Sequence, residues 1–232
     1  APMDPLAALL DGPRARGAFV LRCRLAPPWA LRIEDHSPLA LVCPLSADAW
    51  VCHDGAPPAL ISRGSVGVVR GETHYAVADA PGTRPQVVIL PGQRCVAPGG
   101  GPAQHMHGLG VRTWGHDHAG ADTVLVGVYE RISEVGAGLL RALPALLVLG
   151  PDEWDDAPLR LLAREALRDE PGQDAVVDRL LDLVLVAVVR EWLARQRAEA
   201  PGWYRALSDP VVGPVLRLMR DRPEHPWTLG SL

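Results

Sequence analysis

Residues 60–78, LISRGSVGVVRGETHYAVA, constrain the fold more than any other stretch of this chain. An apolar run ends at Ile61, Arg63-Gly64 forms a turn, Val66, Val68 and Val69 supply β-branched side chains, Gly71 breaks the run and Tyr75 resumes it. β-branched residues suit a pleated backbone and glycine tolerates the positive φ of tight turns, so the pattern reads strand, turn, strand, turn, strand. The rhythm predicts a small antiparallel barrel.

The alternation extends in both directions. Further strands are predicted over 18–25, 29–34, 39–43, 49–53 and 86–90, with a last one over 123–130. Ahead of them, Pro5–Leu10 suits a short helix that Gly12 ends. Pro27-Pro28 must lie between strands, since a central strand cannot spare the donors. A turn near Ser46-Ala47-Asp48 would make a hairpin of 39–43 and 49–53 and set Cys43 opposite Cys52. Residues 91–121 change to Gly, Pro and His and read as one long loop, a type of segment that is often functional in compact domains.

Beyond residue 130 the period becomes helical. Helices are predicted over 133–143, stopped by Pro144, and from Pro158 to Arg168, with Asp156 as the N-cap and Pro171-Gly172 as the stop. The longest covers 173–199 and is apolar on every side from Leu183 to Val189. Such a run is far shorter than the roughly 20 residues that span a bilayer. A helix apolar all round needs partners on more than one face, and packing on its own barrel plus a two-fold mate would provide them, so a homodimer is expected. After Pro201-Gly202 and a helical turn over 203–207, Ser208-Asp209-Pro210 opens a capped helix through Met219.

At 232 residues and 48% hydrophobic composition the chain can bury a proper core. Every Lys/Arg position is Arg, and Lys and Asn are absent, which reads as coding bias. The net charge of −4 leaves no cationic footprint for nucleic acid. No leader-like apolar run opens the sequence and Ala-Pro before Met3 reads as a remnant of tag removal, so a cytoplasmic protein with no membrane partner is expected. The four cysteines lack C-x-x-C spacing and would start as thiols in that compartment.

Several motifs together resemble the AraC/XylS-type transcription regulators. Met3–Leu6, the Gly64–His74 turn and strand, and Pro91-Gly92-Gln93-Arg94-Cys95 resemble their cupin-type sensor; Val188-Val189-Arg190-Glu191-Trp192 is similar to their long helix. Asp209-Pro210-Val211-Val212-Gly213 with Leu216 resembles the linker helix, and Pro226-Trp227-Thr228-Leu229 the entry to the first helix-turn-helix unit. The resemblance implies an α+β chain: an N-terminal antiparallel cupin-like β-barrel over 1–131, an α-helical dimerisation region over 132–207, and over 208–232 the linker helix and the start of a truncated DNA-binding domain. DNA would then be bound only through that missing C-terminal domain. The function implied is effector sensing and dimerisation for a DNA-binding regulator that is not an enzyme and requires no cofactor, responding to a small molecule or to thiol oxidation. The alternative is a cupin-fold metal-binding protein or enzyme using the His-rich loop.

Candidate site residues follow. A barrel mouth could hold a small effector against Trp29, Trp50 and Tyr75, with His74 as a hydrogen-bonding group at the turn. One branch of the resembled family looks like hypochlorite-responsive activators, and Cys23 and Cys95 fall at matching places; Arg22, Arg24 and Arg94 beside them would favour thiolate. Packing as small apolar side chains is the competing fate of both. His105, His107, His116 and His118 form two His-x-His pairs that on extended chain could grip Zn²⁺ or Ni²⁺, against a plain solvated loop. Gly110, His116, His118 and Asp122 echo a cupin metal motif, but no later histidine before His225 supplies the remaining ligand.

Overall fold

The computed structural model describes residues 19–71, 73–103, 105–116, 119–130, 142–195, 202, 205–206, 209–222 and 224–228. The expected helices over 5–10 and most of 133–143, the Met3–Leu6 opening and His118 lie outside them. Strands β1 (Phe19–Leu25), β2 (Ala30–Ile33), β3 (Leu39–Pro44), β4 (Ala49–His53), β5 (Ala59–Ile61), β6 (Val66–Arg70), β7 (Tyr75–Ala78) and β8 (Val87–Leu90) fall where the alternation puts them. The stretch read as a loop contains β9 (Arg94–Val96), β10 (His107–Gly110) and β11 (Thr113–Gly115), ahead of β12 (Asp122–Tyr129). Strand β13 (Leu146–Leu149) lies in the stretch read as helical, followed by helices α1 (Ala157–Glu165), α2 (Gln173–Arg195) and α3 (Val212–Asp221).

The strands do not close into a barrel. They form a seven-stranded sheet, ordered β10-β11-β1-β12-β3-β6-β13, and a six-stranded sheet, ordered β5-β4-β7-β2-β8-β9. Among the described residues no ladder joins the two. The edges of the smaller sheet, β5 and β9, are three residues each, and Pro57-Pro58 and Pro91 beside them remove donors that closure would need. Two pairs are parallel, β1 with β11 and β2 with β8, so the sheets are not purely antiparallel either.

The middle of the larger sheet, β12, β3 and β6, is buried on both sides, and its alternation sorts side chains into two cores. In β3, Leu39, Leu41 and Cys43 join the cluster under the helices, while Val42 faces the smaller sheet. In β12, Leu125 and Tyr129 face the helices and Val124 and Val126 the other way. This is why all six residues of β3 are buried and why its sequence reads as a continuous apolar run.

The expected Cys43–Cys52 pairing does not form, because β3 and β4 belong to different sheets. Cys43 stands opposite Leu125 and Cys52 opposite Ala76. The connection is anchored to β12, where the Leu45 amide donates to the Thr123 carbonyl at 2.8 Å and the Ser46 hydroxyl donates to the Ala121 carbonyl while accepting from the Thr123 amide. Those bonds turn the chain from one sheet to the other.

Helix α2 resolves the all-round apolarity largely inside the molecule. Val177, Leu181, Val184, Leu185, Val188, Val189 and Leu193 are buried against the larger sheet and α1, whereas Val176 and Leu183 stay exposed, at 45% and 46%. Arg112 at the β10–β11 turn bonds Gln173 and Asp174, which fixes the N-terminus of α2 to the sheet edge. The N-cap Asp156 makes no side-chain cap bond; its carboxylate pairs with Arg160, and Asp155 receives the Ala157 amide. Asp209 does cap α3, accepting the Val211 and Val212 amides at 2.8 Å each, which holds its carboxyl below the usual range.

Candidate functional site

A cavity of about 220 Å³ opens between the two sheets. Alternation on β1 turns Phe19, Leu21 and Cys23 into it, and Val126, Val128 and Trp114 complete the wall from the larger sheet. The smaller sheet contributes Leu31, Ile33, Tyr75, Ile89 and Cys95. Two polar groups, Asp35 and Gln93, finish the lining. The Gln93 amide donates to Asp35 Oδ2 at 3.3 Å, and Ser37 donates to both Asp35 oxygens, its amide to Oδ1 at 3.0 Å and its hydroxyl to Oδ2 at 2.8 Å. An apolar cleft with a few convergent polar groups suits a small organic molecule.

Cys23 and Cys95 come from different sheets and share this cavity. Burial pushes the Cys23 thiol up to about 12, and the charge of Cys95 adds to the rise. Burial also raises Cys95, whose Sγ–H donates to the Gln93 carbonyl at 3.6 Å. The arginines that flank Cys23 in sequence do not favour its thiolate: Arg22 and Arg24 alternate to the other face of β1, away from the cavity. The Arg24 guanidinium there donates to the Gly120 carbonyl at 2.9 Å.

The matching family model carries the description Cupin and covers residues 4–194. The chain belongs to the cupin family. This cupin is homologous to AraC-family regulators. It is 26% identical to the HTH-type transcriptional regulator AlkR of Acinetobacter baylyi, over 99% of this chain and 74% of AlkR. It is 29% identical to the RCS-specific HTH-type transcriptional activator RclR of Escherichia coli, over 44% of this chain and 38% of RclR. Among solved structures, an apo form of ToxT from Vibrio cholerae is similar at a TM-score of 0.41 and 8% identity, covering 92% of this chain and 67% of ToxT. Among the described residues, no helix of the cupin is long and apolar enough to cross a membrane.

Of the residues singled out as effector walls, Tyr75 lines the cavity. Trp29 is fully buried beside β2, where its Nε1 donates to Asp122 Oδ2 at 2.7 Å and ties the sheets together. Trp50 is half-buried on β4, in register with Leu60 and Ala78, and is not part of the lining. His74 lies outside the cavity as well, 3.8 Å from Glu34 and 5.5 Å from the His36 ring. Asp35 stands in no sequence motif and Gln93 only in the Pro91–Cys95 motif; their meeting at the cavity depends on β2 and β9 flanking β8.

The histidines occupy a separate surface. His105 and His107 are exposed on either side of buried Met106, as alternation on extended chain requires. His105 and His116 border a shallow cleft, and His116 Nδ1 accepts from the Ala26 amide at 3.2 Å. Among the described residues, no three of His, Cys, Asp and Glu gather as a metal site would require.

Proposed function

We propose that the chain is the effector-sensing part of an AraC-type DNA-binding regulator and that the inter-sheet cavity receives the signal. The observation that carries the reading is the cavity itself, apolar in its walls and polar at Asp35 and Gln93. Its wall is also the floor of α2: Val126 and Val128 line it, and Gly127 between them faces Leu181 on the opposite side of the sheet. An effector that shifts β12 therefore pushes on the helices. In this reading the protein acts in the cytoplasm as a homodimer, is not an enzyme, needs no metal at the His-rich loop, and reaches DNA through a C-terminal domain outside residues 1–232.

A thermal-shift screen of small apolar molecules against the purified chain tests the proposal. Binders should raise the melting temperature of the native chain and fail to do so in Leu21→Trp, where the indole fills the cavity. Equal stabilisation of both proteins would overturn the assignment.

A second reading, thiol oxidation, is favoured by the placement of Cys23 and Cys95 in one cavity and by the similarity to an activator named as RCS-specific. Two S–H bonds would break and one S–S bond form, with hypochlorite taking two electrons and two protons and leaving as chloride and water. Peptide mapping after one equivalent of hypochlorite should find the Cys23–Cys95 link; modification confined to Cys52 would sink this reading.

A further inference from the structure

We propose that the cavity selects a neutral, largely apolar molecule carrying a hydroxyl, an alcohol or a phenol, whose oxygen accepts from Tyr75 and whose O–H donates to Asp35. The inference rests on the cavity being the effector site and adds the chemistry of the head group. Tyr75 lines the cavity at 5% exposure, and no described residue hydrogen-bonds its hydroxyl. The side chain is buried but its hydroxyl is not sealed off, so on the cavity wall it is a donor open to a ligand oxygen. Burial, then the charge of Asp35, raises its pKa well above the usual tyrosine range, which keeps the proton in place.

Asp35 supplies the complementary half. A carboxylate has roughly four acceptor positions, and Ser37 and Gln93 occupy three with the bonds described above. One remains for a ligand donor. The backbone holds both mouth residues in place at a cost: Gln93 has φ 58° and His36, next to Asp35, also has φ 58°, the left-handed region that side chains other than glycine rarely adopt. Strain concentrated beside the polar groups of an otherwise apolar cavity accords with a binding role.

The charge of the lining sets the sign of selection. Asp35 is the charged residue in it, and neither Arg nor His contributes. A ligand carboxylate would therefore be buried beside a like charge with no cation to offset it. An ether could accept from Tyr75 but would leave Asp35 without its donor. A hydroxyl satisfies both.

Isothermal titration of the full 232-residue chain with hexan-1-ol, 1-methoxyhexane and hexanoate tests this. Hexanol should bind tightest, with the ether and hexanoate about tenfold or more weaker, which is the scale of one well-placed hydrogen bond. Tyr75→Phe should weaken hexanol about tenfold without lowering the melting temperature, and Asp35→Asn should strengthen hexanoate, which a merely structural role for Asp35 would not do. Hexanoate binding as tightly as hexanol, or an unchanged hexanol affinity in Tyr75→Phe, would overturn the head-group assignment. If Leu21→Trp blocks all three ligands in that case, the cavity remains the effector site and only the ligand class falls. If none of the three binds, or Leu21→Trp changes nothing, both readings fall.

Discussion

Leu181 of α2 rests on Gly127 of β12 so closely that a Cβ at position 127 would lie 2.4 Å from Leu181 Cδ1. The glycine is there because the helix needs that space. Leu181 is 1% exposed, so its methyl groups can move only by displacing other core side chains. Gly127→Ala should therefore destabilise the chain by about 1–3 kcal/mol through overpacking. Urea denaturation checks this, and Gly127→Ala should cost less when measured in a Leu181→Ala background, a coupling that a double-mutant cycle measures.

Separate positions on α2 should separate stability from association. Leu185 and Val189 are 1% and 0% exposed inside the chain's own core. Leu185→Ala should thus cost about 2–5 kcal/mol and act as a folding mutation. Leu183 faces outward at 46% exposure, so Leu183→Glu should leave the urea midpoint nearly unchanged, within about 0.5 kcal/mol. Light scattering is expected to give a dimer for the native chain and a monomer for Leu183→Glu; a dimer that survives the glutamate does not use this face.

Thiol titration should make the fold sensitive to alkali. Cys23 and Cys43 are each pushed up to about 12 by burial, against roughly 8.5 in an unfolded chain. Between those values the unfolded state releases protons that the folded state keeps, so stability is full below about pH 8.5 and falls as pH rises toward 12. Each thiol contributes a slope of about 1.4 kcal/mol per pH unit in that window. Urea midpoints at pH 7.5 and 10 should differ less in Cys43→Val than in the native chain. In the folded protein at pH 8, alkylation followed by mass spectrometry should find the half-buried Cys52 and Cys95 modified ahead of Cys23 and Cys43.

Trp29 and Asp122 form a buried polar tie between the sheets, 2.7 Å long. Asp122→Ala leaves the indole N–H without a partner at 0% exposure and should cost about 1–3 kcal/mol. Asp122→Asn keeps an acceptor and should cost less. Equal losses for the two substitutions, by thermal denaturation, would mean that the hydrogen bond itself contributes little.

Strand positions were legible in the sequence because a side-chain period of two is local, and eight strands from Phe19 to Leu90 lie within it. Tyr75 could be placed at the start of a strand from the Gly71 break ahead of it. The short strands β9, β10 and β11 could not, since runs of three or four residues among Gly, Pro and His carry no period to detect.

By itself the sequence determined the order of strands before helices, the apolar faces, the cap at Asp209 and the family resemblance, all of which depend on neighbours a few positions apart. Tertiary structure decided which strand joins which sheet. That choice separated Cys43 from Cys52, brought Cys23 to the cavity of Cys95, and turned Arg22 and Arg24 away from the thiol beside them. It also decided that Leu185 and Val189 face the sheet rather than a second chain. The reason is physical: alternation states only that a residue lies on one of two faces, and what covers each face is fixed by contacts between residues as far apart as Gly127 and Leu181.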